Sequence, residues 1–142
     1  MAAEYSYIPI QTVEEDANII LADGDRSCRK GFITHRSGSG VFRLKASNKS
    51  CKTIYRVTFN ANIAVATGGT IGEISVALKE DGEILGNAVG TVTPAAIGDF
   101  FNVSFSTFIV IPCGCCATVS VENISDTAID VQNANIIFDR VA

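Results

Sequence analysis

Thr53-Ile54-Tyr55-Arg56-Val57-Thr58-Phe59-Asn60-Ala61-Asn62-Ile63-Ala64-Val65 alternates along its length. Tyr55, Val57, Phe59, Ala61, Ile63 and Val65 share one parity, and Arg56, Thr58, Asn60 and Asn62 share the other. Side chains of an extended chain point to opposite faces in turn, so a period of two over this length predicts a long strand with one face in a core. Two runs downstream repeat the pattern. Phe101, Val103, Phe105, Ile109 and Ile111 oppose Asn102, Ser104 and Ser106, and Val119 and Val121 oppose Thr118, Ser120 and Glu122.

Turn chemistry separates these runs. Asp81-Gly82 lies between Ile74–Leu78 and Glu83-Ile84-Leu85, and Asp-Gly suits the positive φ angles of a two-residue hairpin loop. Gly38-Ser39-Gly40 divides Gly31–His35 from Val41–Leu44, and Thr67-Gly68-Gly69-Thr70 closes the long strand. Pro94 and Pro112 mark strand boundaries, because proline gives no donor to a central ladder. The segment Ala128–Val141 supplies Ile129, Val131, Ile136, Ile137 and Phe138 for a last strand. No amphipathic helix longer than two turns is present. Eight to ten short strands without an internal repeat predict an all-β, antiparallel β-sandwich of jelly-roll type.

Composition narrows the function. The chain has 142 residues, 47% apolar and 18% charged, with formal net charge −4. That apolar fraction excludes disorder, and no window approaches about 18 consecutive apolar residues, so a membrane partner is not expected. By surface scaling, a 15.0 kDa chain folded as one domain exposes about 7,000 Å². We divide the chain into residues 1–25, an acidic N-terminal arm or first edge strand, and residues 26–142, a single domain. Met1-Ala2-Ala3-Glu4-Tyr5 lacks a basic start and an apolar core, so export by the general secretory route is not expected. Cytoplasmic synthesis makes reduced thiols the default for Cys28, Cys51, Cys113, Cys115 and Cys116.

Charge comes in blocks. Residues 1–25 hold six acids, Glu14-Glu15-Asp16 among them, and no Lys or Arg. Residues 26–56 hold nine of the eleven basic residues (Arg43, Lys45 and Arg56 among them) and no acid. Acidic flanks and a negative balance argue against nucleic acid as the partner and for charge pairing within or between chains.

Motifs for chemistry are sparse. The single histidine, His35, sits in Ile33-Thr34-His35-Arg36 and reads as a surface or strand-face residue rather than a triad base. Gly38-Ser39-Gly40 lacks the strand–helix setting of a phosphate loop. Pro112-Cys113-Gly114-Cys115-Cys116 stands out, with C-x-x-C spacing between Cys113 and Cys116. A strand follows it, not the helix start of a thioredoxin-type site. It therefore reads as a disulfide or as small thiols packed in a turn. A zinc site on Cys113 and Cys116 would need two more ligands, drawn from Cys115, Cys28, Cys51 or His35. No catalytic residue and no cofactor is expected.

Ile111–Asn123 and Val131–Ile136, together with Tyr55–Phe59, Thr67–Gly72, Val92–Ala96 and Phe101–Ser104 in order, resemble small virion structural proteins of tailed bacteriophages and prophages. The resemblance covers about residues 28 to 142. It implies a jelly roll similar to tumour-necrosis-factor-like and complement-type heads, which associate as trimers. It further implies a capsid decoration component on the virion head surface, made in the host bacterial cytoplasm. Its partners would be other copies of itself and the major capsid protein or another head protein. A tail-tip or fibre module binding a receptor or glycan through loops such as Arg36–Gly40 and Asp81–Gly82 is the alternative. Phe100, Phe101, Phe105, Phe108, Arg43, Lys45, Arg56, Glu14, Glu15 and Asp16 are the candidate interface residues. An enzyme with a cysteine nucleophile or a metal, on Cys113, Cys115 or Cys116, is the third reading.

Overall fold

The computed structural model describes residues 2–24, 32–46 and 52–141. Ten strands run in chain order: β1 (Ala2–Tyr7), β2 (Gln11–Val13), β3 (Ile33–His35), β4 (Val41–Lys45), β5 (Lys52–Val65), β6 (Ile74–Glu80), β7 (Glu83–Val92), β8 (Phe101–Pro112), β9 (Cys116–Asn123) and β10 (Ile129–Arg140). Among the described residues there is no helix, and so none long and apolar enough to cross a membrane.

Two antiparallel sheets face each other. One has the order β1-β10-β5-β8, with β2 also on β10, and the other the order β3-β4-β9-β6-β7. From β4 onward the chain crosses between the sheets at every connection except the β6–β7 hairpin, the two-sheet winding of a jelly roll. β5 fulfils the alternation read from sequence: Tyr55, Val57, Phe59, Ala61 and Ile63 are buried between the sheets, while Arg56 and Asn60 are exposed. Tyr5, Phe42 and Phe138 meet at the centre with ring centroids 4.8–6.1 Å apart. Such tilted aromatic contacts suit the ring quadrupoles. The chain exposes 7131 Å², the area expected of a closed globular monomer of its mass. The core is complete without a neighbour.

Residues 2–24 stitch the two sheets together. β1 and β2 pair with β10 in the first sheet. The chain then crosses over, and the Ile19 amide donates to the Val121 carbonyl at 2.8 Å on β9 of the second sheet. Ala22 returns to bridge Ser6 of β1. Gln11 holds the crossing in shape, its side-chain amide exchanging two 2.9 Å hydrogen bonds with the Ile20 backbone.

The β6–β7 hairpin confirms the Asp-Gly reading, with φ of 51° at Asp81 and 87° at Gly82. Burial and, secondarily, the Asp81 charge hold the Glu80 carboxyl above its ordinary 4.5. A carboxyl that keeps its proton more tightly when folded loses stability as pH rises through and above 4.5. Glu80→Gln should flatten that decline, measured as melting temperature against pH. The gain at neutral pH should be no more than about 0.5 kcal/mol, because solvent screens a partly exposed group.

The sheets approach closely where β7 passes β8. A Cβ on Gly90 would stand 2.9 Å from Val103 Cβ. Gly90→Ala should destabilise by about 1–3 kcal/mol in urea unfolding. Gly86→Ala on the same strand, where nothing lies within 4 Å of the new methyl, should stay within about 0.5 kcal/mol.

Candidate functional site

The outward face of the β1-β10-β5-β8 sheet carries part of the apolar surface that the structure leaves open. On β8, inward Val103, Thr107, Ile109 and Ile111 are buried, while Phe108 is 59% and Val110 51% exposed. Cross-strand register sets Val110 beside Ile54 and Phe108 beside Arg56. Arg56 in turn donates to Asp139 at 2.7 Å. Phe108, Val110 and Ile54 thus form an apolar ridge at the β8 edge. Among the described residues no strand pairs with the far side of β8.

The next rows are polar. Thr58 and Ser106 hydroxyls lie 3.2 Å apart, the Asn102 amide donates to Asn62 Oδ1 at 3.2 Å, and the Asn62 amide donates to Asn133 Oδ1 at 3.3 Å. These amides keep spare donors and acceptors. At the opposite edge, Ala2, Ala3, Glu4 and Ile137 line a shallow, mostly apolar hollow of about 410 Å³. One sheet face therefore carries a ridge at one side and a hollow at the other.

The residues nominated from sequence divide between surfaces. Phe108 and Arg56 belong to this face, and Phe101, 47% exposed, opens β8. Phe100 precedes that strand, half-buried. Phe105 points the other way, half-buried and stacked on Phe59 at 5.4 Å. Arg43 and Lys45 lie on β4 in the other sheet. Glu14, Glu15 and Asp16 form an exposed turn after β2. The two loops nominated for ligand contact also part company. β4 and β6 both run antiparallel to β9 and overlap at Ser120, which faces Val41 of one and Lys79 of the other, so the turn entering β4 and the turn leaving β6 project in opposite directions from the middle of β9.

His35 corrects its reading as a surface residue. Its side chain is 1% exposed, stacked on Phe42 at 4.1 Å and held at both ring nitrogens. Nδ1 contacts Asp23 Oδ1 at 2.5 Å and Nε2 contacts the Ser39 carbonyl at 2.8 Å. A carbonyl only accepts, so Nε2 carries a proton and donates. Neither nitrogen is left to activate a nucleophile, and the ring works as a bolt between the residue-23 segment and the turn before β4.

Cys113, Cys115 and Cys116 lie at the tight turn between β8 and β9, but they are exposed and form no disulfide with one another, which corrects the reading of a local disulfide or of packed thiols. The Cys115 amide donates to the Pro112 carbonyl at 3.0 Å, and Gly114 takes φ 77°. β9 begins at Cys116. Among the described residues no group of three or more His, Cys, Asp or Glu is placed to hold a metal ion. Cys28 and Cys51 lie outside the described residues.

This architecture is a jelly-roll β-sandwich whose fold is similar to that of tumour-necrosis-factor-like and complement-1q-like domains. The chain superimposes on the Eiger TNF of S. frugiperda with a TM-score of 0.73 at 13% identity, covering 100% of this chain and 92% of that one. Murine APRIL gives 0.68 at 9% identity, covering 99% and 100%. The globular domain of zebrafish complement 1qA gives 0.63 at 13% identity, covering 99% and 94%. At these identities the likeness establishes the fold. No family model matches the sequence, and no curated protein does.

Proposed function

We propose that this chain is a non-enzymatic structural protein that assembles with copies of itself into a homotrimer. The observation that carries this reading is the pairing of an exposed ridge (Ile54, Phe108, Val110) with a shallow, mostly apolar hollow (Ala2, Ala3, Glu4, Ile137) at opposite edges of one sheet face. Two different patches that fit each other make a head-to-tail contact, and such contacts close into a ring when the rotation per step allows. The Arg56–Asp139 pair lies between them on the same sheet face, and the amide rows further along the strands supply hydrogen bonds to the rim of the contact. The fold shared with the Eiger TNF and complement 1qA heads supports a role as a displayed head. The landmarks around Cys113–Asn123 support a place on a phage capsid, where such a trimer would decorate the head surface against the major capsid protein.

Sedimentation of the purified chain, followed by incubation with phage heads lacking their decoration layer, tests this. A three-chain species that binds such heads is expected. A chain that remains single at high concentration overturns the assembly, and a trimer indifferent to heads overturns the capsid role. A receptor- or glycan-binding tip has less support, because its two candidate loops project in opposite directions from the middle of β9.

A further inference from the structure

The geometry points to Cys116 as a thiol-modification site that takes up small anionic disulfides, of the kind formed by carboxylate-bearing thiols, as mixed disulfides. Register pairs Lys45 with Cys116 and Arg43 with Thr118 across β4 and β9. Strand alternation puts all four side chains on the outward face. From there the Arg43 guanidinium turns back along the strand, its Nε and Nη2 donating to Cys116 Sγ at 3.2 and 3.1 Å. Arg43, Lys45, Ala46, Gly114, Cys115 and Cys116 line a cavity of about 200 Å³ beside that sulfur. The nearby Asp81 carboxylate is engaged by the Thr118 amide at 2.9 Å. An exposed sulfur thus opens on a small hollow with two cationic side chains at its rim.

This suits thiol–disulfide exchange with an anion. The Cys116 sulfur, its proton given to solvent, attacks one sulfur of the incoming disulfide. A new S–S bond forms to Sγ, the original S–S bond breaks, and the departing thiolate leaves with the electron pair and takes up a solvent proton. Arg43 faces the negative charge that spreads over the three sulfurs in the transition state, and Lys45 and Arg43 together draw carboxylates to the hollow. Cys113 and Cys115, exposed in the same turn, serve as internal comparators.

The native full-length chain, reduced and then exposed to glutathione disulfide, gives the test, with adduct formation followed at each cysteine by fragmentation mass spectrometry. Cys116 should react about tenfold faster than Cys115, the scale of electrostatic steering into a small charged site. The preference should shrink as salt rises and should vanish with cationic cystamine. Arg43→Met should remove most of it and Lys45→Gln part of it, with unchanged melting temperatures confirming the fold. Equal rates at Cys116 and Cys115, or a Cys116 preference indifferent to salt, to reagent charge and to Arg43→Met, would overturn the assignment. The salt and reagent comparisons use the unaltered chain and stand even where a variant misfolds.

Discussion

Replacing Asn123 with alanine should destabilise the fold by about 2–5 kcal/mol, a large share of the 5–15 kcal/mol that usually separates folded from unfolded states. The side chain is fully buried. Its amide donates to the carbonyls of Val13, Glu14 and Thr127 at 3.1, 3.2 and 3.0 Å, and its Oδ1 accepts the Ser125 amide at 3.0 Å. Alanine would strand these backbone groups away from water, at about 1–3 kcal/mol for each group left unsatisfied. The bonds sit where the N-terminal segment crosses between sheets, and the Asn123 backbone is tied there as well, to Asp16 and Ala17. The loss should appear in urea unfolding as a lower midpoint at unchanged slope. Amide exchange should rise first in residues 11–20. Asn123→Asp should be worse, since it turns a carboxylate oxygen toward carbonyl oxygens. A loss below about 0.5 kcal/mol for Asn123→Ala, the range of an ordinary surface change, would show that the crossing is held by other contacts.

Asn123 also shows where sequence reading stops. The strand ending there was legible because Val119 and Val121 alternate with polar neighbours. Nothing in that alternation, however, marks the asparagine at its end as fully buried. The local signal existed: an asparagine side chain often accepts the amide two residues on, as it does from Ser125. Its three carbonyl partners come from distant parts of the chain or a closing loop, which no local pattern announces. His35 is similar. Parity puts it on the side of buried Ile33, but its burial depends on Asp23, Ser39 and Phe42 arriving together.

The candidate interface was less legible than the fold, and the reason is topological. Arg43, Lys45 and Arg56 are close neighbours in sequence and look like one basic surface. β4 and β5 belong to different sheets, so these charges face away from each other on a sandwich. Similarly, Phe105 and Phe108 differ in parity, so one enters the core and the other faces out. The ridge of Ile54, Phe108 and Val110 is set by the β5–β8 register, and a sequence without its pairing partners does not reveal register.

Phe108→Glu combined with Val110→Glu should abolish self-association while leaving a folded single chain. Both side chains already face solvent in the isolated chain, so the substitutions should change its stability by about 0.5 kcal/mol or less. The new carboxylate at 108 would lie across from the Arg56 guanidinium, which favours the free chain. In the assembly the same groups would enter an apolar contact. Several kcal/mol per unpaired buried charge corresponds to at least a thousandfold weaker association at about 1.4 kcal/mol per factor of ten. Sedimentation velocity should therefore show one-chain particles at concentrations where the unaltered protein forms the proposed trimer, with the melting profile of a folded sandwich. Ile137→Glu, in the hollow, should have the same effect by blocking the other half of the contact. Mixing the two variants restores one intact ridge-to-hollow contact per pair and should yield a two-chain species but no closed ring. Thr34→Glu, exposed on the opposite sheet, should leave the trimer intact. If the ridge and hollow variants assemble as the unaltered chain does, the contact between copies lies elsewhere on the molecule.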